Sequence, residues 1–369
     1  MDKVGETTLF LDLDALEHNY NYLRSKIAQE TKFMAVVKAF AYGSDMVAVA
    51  KKMEKLGVDY FAVAYVNEGV LLRDAGIETP ILVLHPLASN FDEMIDKRLE
   101  PSLYSQNILH QFIAAAEAKK QVAYPAHIKF NTGLNRLGFN QGDIDTIVDK
   151  LKGNMVVTVV SVFSHLAASE DPEEQPFSMS QINSFKKLSN EFIQKLGYPP
   201  MRHMLNTSGI INYPEAKFEM VRSGIGLYGY GNDAKIDPQL QPIATLKTII
   251  SQIHEIGADE SVGYNRAFKS HNPIKTATLP IGHADGIGRP YGKGKAAVLI
   301  NGKMAPIIGN VCMDMIMVDV TGIDCKEGDE VVVFGPEKSA ESFALGAGTI
   351  SYEILTAISQ RVKRVVLGD

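Results

Sequence analysis

Residues 33–43 read FMAVVKAFAYG. Five apolar residues precede Lys38, and the stretch ends on Tyr42 and Gly43. A short, continuous apolar run of this kind predicts a strand buried on both faces, as in a parallel sheet covered by helices. A lysine that directly follows such a strand would lie at the carboxyl edge of the sheet, where α/β enzymes carry their functional groups.

Similar apolar runs alternate with helical patterns from about residue 10 to residue 230. The runs cover residues 60–64, 81–84, 126–129, 156–163, 202–205 and 218–221, and the helical patterns cover 46–56, 67–75, 108–119, 144–151 and 180–196. About eight strand–helix units in about 220 residues fit a (β/α)8 TIM barrel. A doubly wound open sheet is the alternative, but the first strand–helix turn has no glycine-rich fingerprint to favour it.

The pattern changes after Asp237 and Pro238. Residues 245–256, 276–280, 296–300, 305–308, 315–320 and 330–334 are short, β-branched or alternating segments separated by Gly, Asn and Pro. Asn301-Gly302 is a typical hairpin turn. We therefore expect a barrel over residues 1–237 and a mostly β C-terminal domain over residues 238–369, with a terminal helix over 351–362.

Composition excludes several classes of function. The 369 residues include 43 acidic and 37 basic side chains, a net charge of −6, which argues against nucleic acid or an anionic membrane as the main partner. The two cysteines, Cys312 and Cys325, are too few for a disulfide framework or a zinc site, and no metal site is expected. The longest apolar runs are too short to span a membrane. We expect a cytoplasmic enzyme.

Five polar or charged residues follow predicted barrel strands: Lys38, Lys129, His165, Asn206 and Arg222. Each alone is more often an ordinary strand end than a functional group. Together they would gather on one rim of the barrel, and the cost of partly burying so much charge calls for a functional reason.

Lys38 suits nucleophilic amine chemistry. A lysine at a barrel mouth, desolvated and close to other cations, has a lowered pKa and can form a Schiff base, most commonly with pyridoxal 5′-phosphate (PLP). Tyr42 and the segment 223–226, SGIG, are candidates for binding the phosphate. A glycine-rich turn alone is weak support for a phosphate site.

The chain resembles the bacterial alanine racemases along nearly its whole length. The matching segments are VKAFAYG (37–43), KFNTGLNRLG (129–138), FSH (163–165), NTS (206–208), VRSGIGLYG (221–229), VGY (262–264), CMD (312–314) and SYE (351–353). The resemblance implies a PLP-dependent isomerase that interconverts L- and D-alanine for peptidoglycan synthesis. It also implies a homodimer with shared active sites.

The resemblance also implies roles for individual residues. Lys38 would hold PLP and act as one base, and Tyr264 of the second subunit would act as the other. The remaining implied PLP-binding residues are Tyr42, His165, Asn206, Thr207, Arg222, Gly224, Ile225 and Tyr352. Among these, Arg222 would face the pyridine nitrogen and His165 would hydrogen-bond Arg222.

Four further residues have implied roles in binding or supporting the substrate. Arg136 would contact the PLP phenolic oxygen and the substrate carboxylate, and Lys129, often carbamylated in this family, would support it. The Met313 backbone of the second subunit would also bind substrate, with Asp314 in a supporting position.

The sequence departs from the family's usual residues at Phe40, Ser44, Asn131, His283 and Asn310. Phe40 and Ser44 make the chain similar to the racemase halves of ligase–racemase bifunctional proteins. His283 and Asn310 would lie on the substrate access route, so a racemase acting on serine, lysine or arginine is an alternative. A non-catalytic PLP-binding barrel and a PLP decarboxylase are more distant alternatives.

Overall fold

The structure, a computed structural model, describes residues 5–231 and 236–368. These residues form two compact units. The barrel unit contains Glu17–Ala41 and Met46–Leu240, whereas the β unit contains the residues up to Leu16, Tyr42–Asp45 and the residues from Gln241 onward. The division thus differs from the expected one at the N-terminus and around Tyr42. The expected domain limits at residues 1 and 369 lie outside the described residues.

The barrel unit contains an eight-stranded parallel sheet within the described part of the chain. Strands are numbered along the chain, and β1 (Thr8–Asp12) belongs to the β unit. The barrel strands are β2 (Lys32–Val36), β3 (Tyr60–Val63), β4 (Ile81–Val83), β5 (Glu100–Leu103), β6 (Tyr124–Lys129), β7 (Val157–Phe163), β8 (Met201–His203) and β9 (Met220–Ser223).

The barrel strands follow the order β8-β7-β6-β5-β4-β3-β2-β9. The Arg222 N–H donates to the carbonyl of Leu205, just after β8, at 3.1 Å. This bond joins the two ends of the sheet, so the predicted (β/α)8 barrel is confirmed.

Strand β5 was not predicted from the sequence. It reads EPSL, and all four residues are buried. A glutamate and a proline resemble loop residues in a local pattern, since proline is normally excluded from central strands. Here tertiary packing on both sides overrides the local preference.

Helices follow barrel strands β2 to β8 along the chain, and the last two helices of the chain belong to the β unit. Ser105 caps its helix by accepting a hydrogen bond from the Ile108 N–H at 3.3 Å, and Gly197 ends the longest helix of the described residues with φ +92°. The helices are α1 (Leu13–Arg24), α2 (Lys38–Gly43), α3 (Met46–Lys55), α4 (Val66–Asp74), α5 (Phe91–Asp96), α6 (Gln106–Ala118), α7 (Ile144–Leu151), α8 (Gln175–Leu196), α9 (Thr207–Asn212), α10 (Ala340–Leu345) and α11 (Ser351–Ala357). Among the described residues, none of these is long and apolar enough to cross a membrane.

The β unit is built on a nine-stranded sheet of order β11-β14-β17-β16-β15-β18-β10-β1-β19, as far as the chain is described. Its later strands are β10 (Ala244–Ile249), β11 (Gln252–Ile256), β14 (Ile274–Leu279), β15 (Ala297–Ile300), β16 (Lys303–Ile308), β17 (Ile316–Asp319), β18 (Glu330–Phe334) and β19 (Lys363–Leu367). Strands β12 (Ser261–Val262) and β13 (Phe268–Lys269) form a separate hairpin.

Two features of the β unit differ from the sequence prediction. Strand β1 pairs antiparallel with β10 and parallel with β19, so the first strand of the chain completes the second unit. The terminal helix ends at Ala357 rather than at residue 362, and the chain continues into β19.

The Asn301-Gly302 turn between β15 and β16 has φ values of +48° and +75°, as a type I′ hairpin turn requires.

We predict that Gly43→Ala destabilises the protein more than Gly294→Ala. Both glycines lie in the β unit with nearly equal φ, +78° and +79°, which costs an alanine about 1–2 kcal/mol. A Cβ at Gly43 would also overlap the Leu355 carbonyl, whereas Gly294 has open space. Overpacking should therefore lower the free energy of unfolding by a further ~1–3 kcal/mol at Gly43. Urea denaturation measures both, and equal losses would contradict the contact.

Candidate active site

Four cationic side chains belong to the carboxyl end of the barrel. Lys38 follows β2, Lys129 ends β6, Arg136 lies in the loop after β6, and Arg222 belongs to β9. Burial, then Arg136, Arg222 and Lys38, lower the pKa of Lys129 to about 8. Burial and Arg136 also lower the pKa of Lys38, and Glu68 opposes them. The site therefore makes lysine amines easier to deprotonate.

Arg222 is buried and held on every side. Its Nη2 donates to the carbonyls of Ser164 at 2.7 Å and Met204 at 3.0 Å, and lies 3.2 Å from His165 Nδ1. Its Nη1 lies 2.5 Å from His203 Nδ1. Burial, with Arg222 the next cause, holds the pKa of both histidines well below the usual range. Neutral imidazoles can therefore accept hydrogen bonds from the guanidinium at neutral pH.

The segment α2 (Lys38–Gly43) is a short left-handed turn rather than a right-handed α-helix. Ala39, Phe40, Ala41 and Tyr42 have φ values between +53° and +55°. Four successive non-glycine residues in this region are costly and need support from their surroundings. Glu68 supplies part of it, because its Oε1 accepts from the Ala39 N–H at 2.6 Å.

Glu68 also fixes the end of β3. Its Oε2 accepts from the backbone N–H groups of Ala64 at 2.7 Å and Tyr65 at 3.1 Å. One carboxylate thus joins the turn after Lys38 to the neighbouring strand end, which orients the lysine.

Hydroxyl and backbone N–H groups gather after β8 and β9. The Thr207 and Ser223 hydroxyls are 2.9 Å apart, and Thr207 Oγ1 accepts from the Gly226 N–H at 3.2 Å. Gly224 and Ile225 begin the turn that follows β9. Asn206 caps α9, its Oδ1 accepting from the Gly209 N–H at 3.0 Å. Neutral donors of this kind are suited to a phosphate group.

Tyr42 and Tyr352 belong to the β unit and contact each other. Their ring centroids are 5.9 Å apart. Burial, together with Tyr352, raises the pKa of Tyr42 above its ordinary value. Tyr42 therefore keeps its phenolic proton and can donate a hydrogen bond.

Tyr264 and Met313 are exposed on the β unit, with 71% and 59% of their surface accessible. The Tyr264 carbonyl accepts from Asn310 Nδ2 at 3.1 Å, and the backbone on both sides of Tyr264 has positive φ at Gly263 and Asn265. Asn310 thus holds a tight turn that projects a tyrosine away from its own unit.

Met313 lies in a loop fixed by backbone and charged contacts. Its carbonyl accepts from the Ala284 N–H at 3.0 Å. Arg361 donates to Asp314 at 2.6 Å and to Asp285 at 2.7 Å, so one guanidinium joins this loop to the turn that carries His283.

Family models match both parts of the chain. The model described as "Alanine racemase, N-terminal domain" matches residues 11–232, and "Alanine racemase, C-terminal domain" matches residues 243–366. The chain belongs to the alanine racemase family.

Similar alanine racemases cover almost the whole chain. "Alanine racemase 1" of Clostridium acetobutylicum is 35% identical and covers 97% of this chain and 94% of its own length. The solved alanine racemase of Clostridium difficile 630 has a TM-score of 0.92 and 32% identity, covering 99% and 97% of the two chains. That of Bacillus anthracis, solved with bound L-Ala-P, has a TM-score of 0.91 and 29% identity, covering 99% and 95%.

The sequence analysis did not select Glu68 or His203. Glu68 is the third residue of α4, where an acidic side chain signals a helix start. His203 lies within the predicted apolar strand over residues 202–205, although a polar residue inside a barrel strand needs a partner. Both signals were present in the sequence, but the partners come from distant segments.

We predict that Arg136→Leu raises the pKa of both Lys38 and Lys129, because Arg136 opposes their protonation. Acetic anhydride labelling at varied pH, quantified by peptide mass spectrometry, should show half-maximal reactivity of Lys129 near pH 8 in the unmodified chain. The curves of both lysines should move to higher pH in the variant. Arg202→Leu is the control, because Arg202 pairs with Glu219 instead. Identical curves in all three proteins would contradict the prediction.

Proposed function

We propose that this chain acts in the cytoplasm, where it interconverts L- and D-alanine and so supplies D-alanine for peptidoglycan synthesis. The observation that carries the proposal is the position of Lys38 at the barrel rim, where burial and Arg136 lower its pKa, in the same unit as the hydrogen-bonded cation Arg222. Membership of the alanine racemase family supports the same reaction.

We infer that PLP is the cofactor, as it is for alanine racemases in general. The residues present support it: an amine at Lys38 whose pKa is lowered by burial and Arg136, hydroxyl and backbone groups around Thr207, Gly224 and Ile225, and a fixed guanidinium at Arg222. Tyr42, Tyr352, Asn206 and His165 would complete its binding. When bound, PLP acidifies the Cα–H of an amino acid by delocalising the remaining electron pair into its ring.

Arg222 would control the outcome of the reaction through its charge. A guanidinium beside the pyridine nitrogen opposes protonation of that nitrogen, because two positive charges would repel at short range. Arg222 would in this way favour return of the proton to Cα, and so racemisation over transamination.

Two bases would act on opposite sides of Cα. Lys38 would remove or return the proton on one side, and Tyr264 from the partner subunit would do so on the other. Arg136, supported by Lys129, and the Met313 backbone, supported by Asp314, would hold the substrate carboxylate. The exposure of Tyr264 and Met313 on the β unit supports a homodimer with shared sites.

We predict that Tyr264→Phe separates the two half-reactions. The unaltered protein should racemise alanine in both directions. In the variant, Lys38 should still exchange the Cα proton of D-alanine with deuterated solvent while configuration is retained. Exchange from L-alanine should fall about 10²–10⁴-fold, the usual cost of losing a general base. Mass spectrometry with chiral separation measures both rates.

The control is Tyr198→Phe, a tyrosine of the barrel unit that donates no proton in the proposed reaction. It should keep both exchange rates. Equal exchange of both enantiomers by Tyr264→Phe would indicate a single base. If the unaltered protein does not racemise alanine but does racemise serine, lysine or arginine, that amino acid and not alanine is the substrate.

We also predict that two inactive variants restore activity when their subunits exchange. Lys38→Ala and Tyr264→Ala remove bases that we place in different chains, so half of the sites in a mixed dimer would contain both intact residues. Racemase activity should recover to as much as about a quarter of the normal value when exchange is complete and the variants are equimolar. Mixing Lys38→Ala with Lys38→Met is the control. Lack of recovery despite exchange, verified by native mass spectrometry, would contradict the shared site.

A further inference from the structure

A row of hydrogen bonds runs through the inside of the barrel from Arg222 to Glu100. Arg222 Nη1 meets His203 Nδ1 at 2.5 Å, and His203 Nε2 meets the Ser161 hydroxyl at 2.9 Å. The same hydroxyl lies 2.6 Å from His127 Nδ1, and His127 Nε2 lies 2.7 Å from Glu100 Oε2. All five residues are buried, and the four bonds of the row connect strands β9, β8, β7, β6 and β5 in order.

The two charged ends of the row, a guanidinium that can only donate and a carboxylate that can only accept, together fix the proton positions between them. A guanidinium can only donate, so His203 accepts at Nδ1 and carries its proton on Nε2. The His203 Nε2–H donates a hydrogen bond to the Ser161 oxygen. The Ser161 hydroxyl donates to His127 Nδ1, and the His127 Nε2–H donates to the carboxylate of Glu100. In each of the four bonds the donor is therefore the residue nearer to Arg222 and the acceptor is the residue nearer to Glu100.

The row also links two buried charges. The other hydrogen-bond partners recorded for the Arg222 side chain within the described residues are neutral: the carbonyls of Ser164 and Met204 and the imidazole of His165. A buried cation is costly without a countercharge. Glu100 supplies a carboxylate at the far end, and bonds within such a row polarise one another.

Glu100 belongs to the opposite end of the barrel from the candidate active site. It is the first residue of β5, and it borders a cavity of about 290 Å³ with Arg73, Arg98 and Tyr124. Burial and Arg98 lower the pKa of Arg73, and Glu100 acts against them. Arg73 itself is fixed by donating to the carbonyls of Ile77 and Thr79 at 2.7 and 2.8 Å.

We propose that Glu100, His127 and Ser161 are positioning residues for Arg222. They hold His203 in the tautomer that accepts from the guanidinium, and Glu100 provides its countercharge from the opposite barrel mouth. The consequence for racemisation rests on the proposed function, since it assumes that Arg222 faces the cofactor's pyridine nitrogen. The existence of the polarised row of hydrogen bonds does not depend on that function.

The test compares Glu100→Gln and Ser161→Ala with Ser189→Ala. Glutamine keeps the size and the acceptor oxygen of Glu100 but removes its charge, and alanine at position 161 interrupts the row. Ser189 is another buried serine of the barrel unit, and its hydroxyl donates only to the Lys186 carbonyl in the hydrogen bonds recorded for the described residues. Each variant is made in the full chain with its nine histidines labelled with ¹⁵N.

Nitrogen–proton correlation spectra report the tautomer and hydrogen bonding of His203, which His203→Asn assigns. We expect an Nε2-protonated ring in the unaltered protein. Its ring resonances should shift in Glu100→Gln and Ser161→Ala and stay unchanged in Ser189→Ala. An Nδ1-protonated ring, or a His203 signal insensitive to the charge of Glu100, would overturn the proposal even if both variants fold normally.

A second measurement concerns the reaction. Racemisation kcat should fall roughly 2- to 30-fold in Glu100→Gln, within the range for buried coupled networks, with KM nearly unchanged. The ratio of transamination to racemisation should rise. An unchanged kcat and product ratio would overturn the role of the row in the reaction. If the unaltered protein racemises nothing, the proposed function fails, and the His203 spectra still decide whether the row exists.

Discussion

The charged guanidinium of Arg222 inside the barrel is the constraint on which the candidate active site depends. Arg222 on β9 pairs with Met34 of β2, and its backbone N–H donates to the carbonyl of Leu205 just after β8. Arg222 therefore lies where the two ends of the sheet meet and close the barrel. Removing this charge from water is expensive unless hydrogen bonds surround it. Barrel closure brings those acceptors together from β8 and from the segments that follow β7 and β8. The buried charge of Arg222 therefore depends on barrel closure for its hydrogen-bond acceptors.

A second cost lies in the left-handed turn from Ala39 to Tyr42. At about 1–2 kcal/mol per non-glycine residue, this turn is a substantial local strain. Glu68 offsets part of it by accepting a hydrogen bond from the Ala39 N–H, while two further bonds fix Glu68 to the end of β3, and Gly43 ends the turn where no side chain would fit. Strain of this kind persists where surrounding structure imposes it, and here it fixes the chain immediately after Lys38.

Sequence patterns predicted the barrel because most of its strands are short apolar runs. They did not predict β5, whose Glu100 and proline resemble a loop, or the pairing of β1 with β19, which depends on residues far apart in sequence. The rim residues could be identified by their positions after strands. The row from Arg222 to Glu100 could not, because which buried histidine meets which serine depends on the register between strands.

The departures from the family's usual residues acquire physical meaning in this setting. Phe40 lies within the left-handed turn at a position where the resemblance implies asparagine, and asparagine tolerates positive φ better than a bulky aromatic residue does. Phe40 is also exposed, so burial of its ring returns little of this cost within its own unit. The turn after Lys38 is therefore more strained than it would be with asparagine. Its geometry must rely more heavily on Glu68 and on the close approach of Gly43 to Leu355.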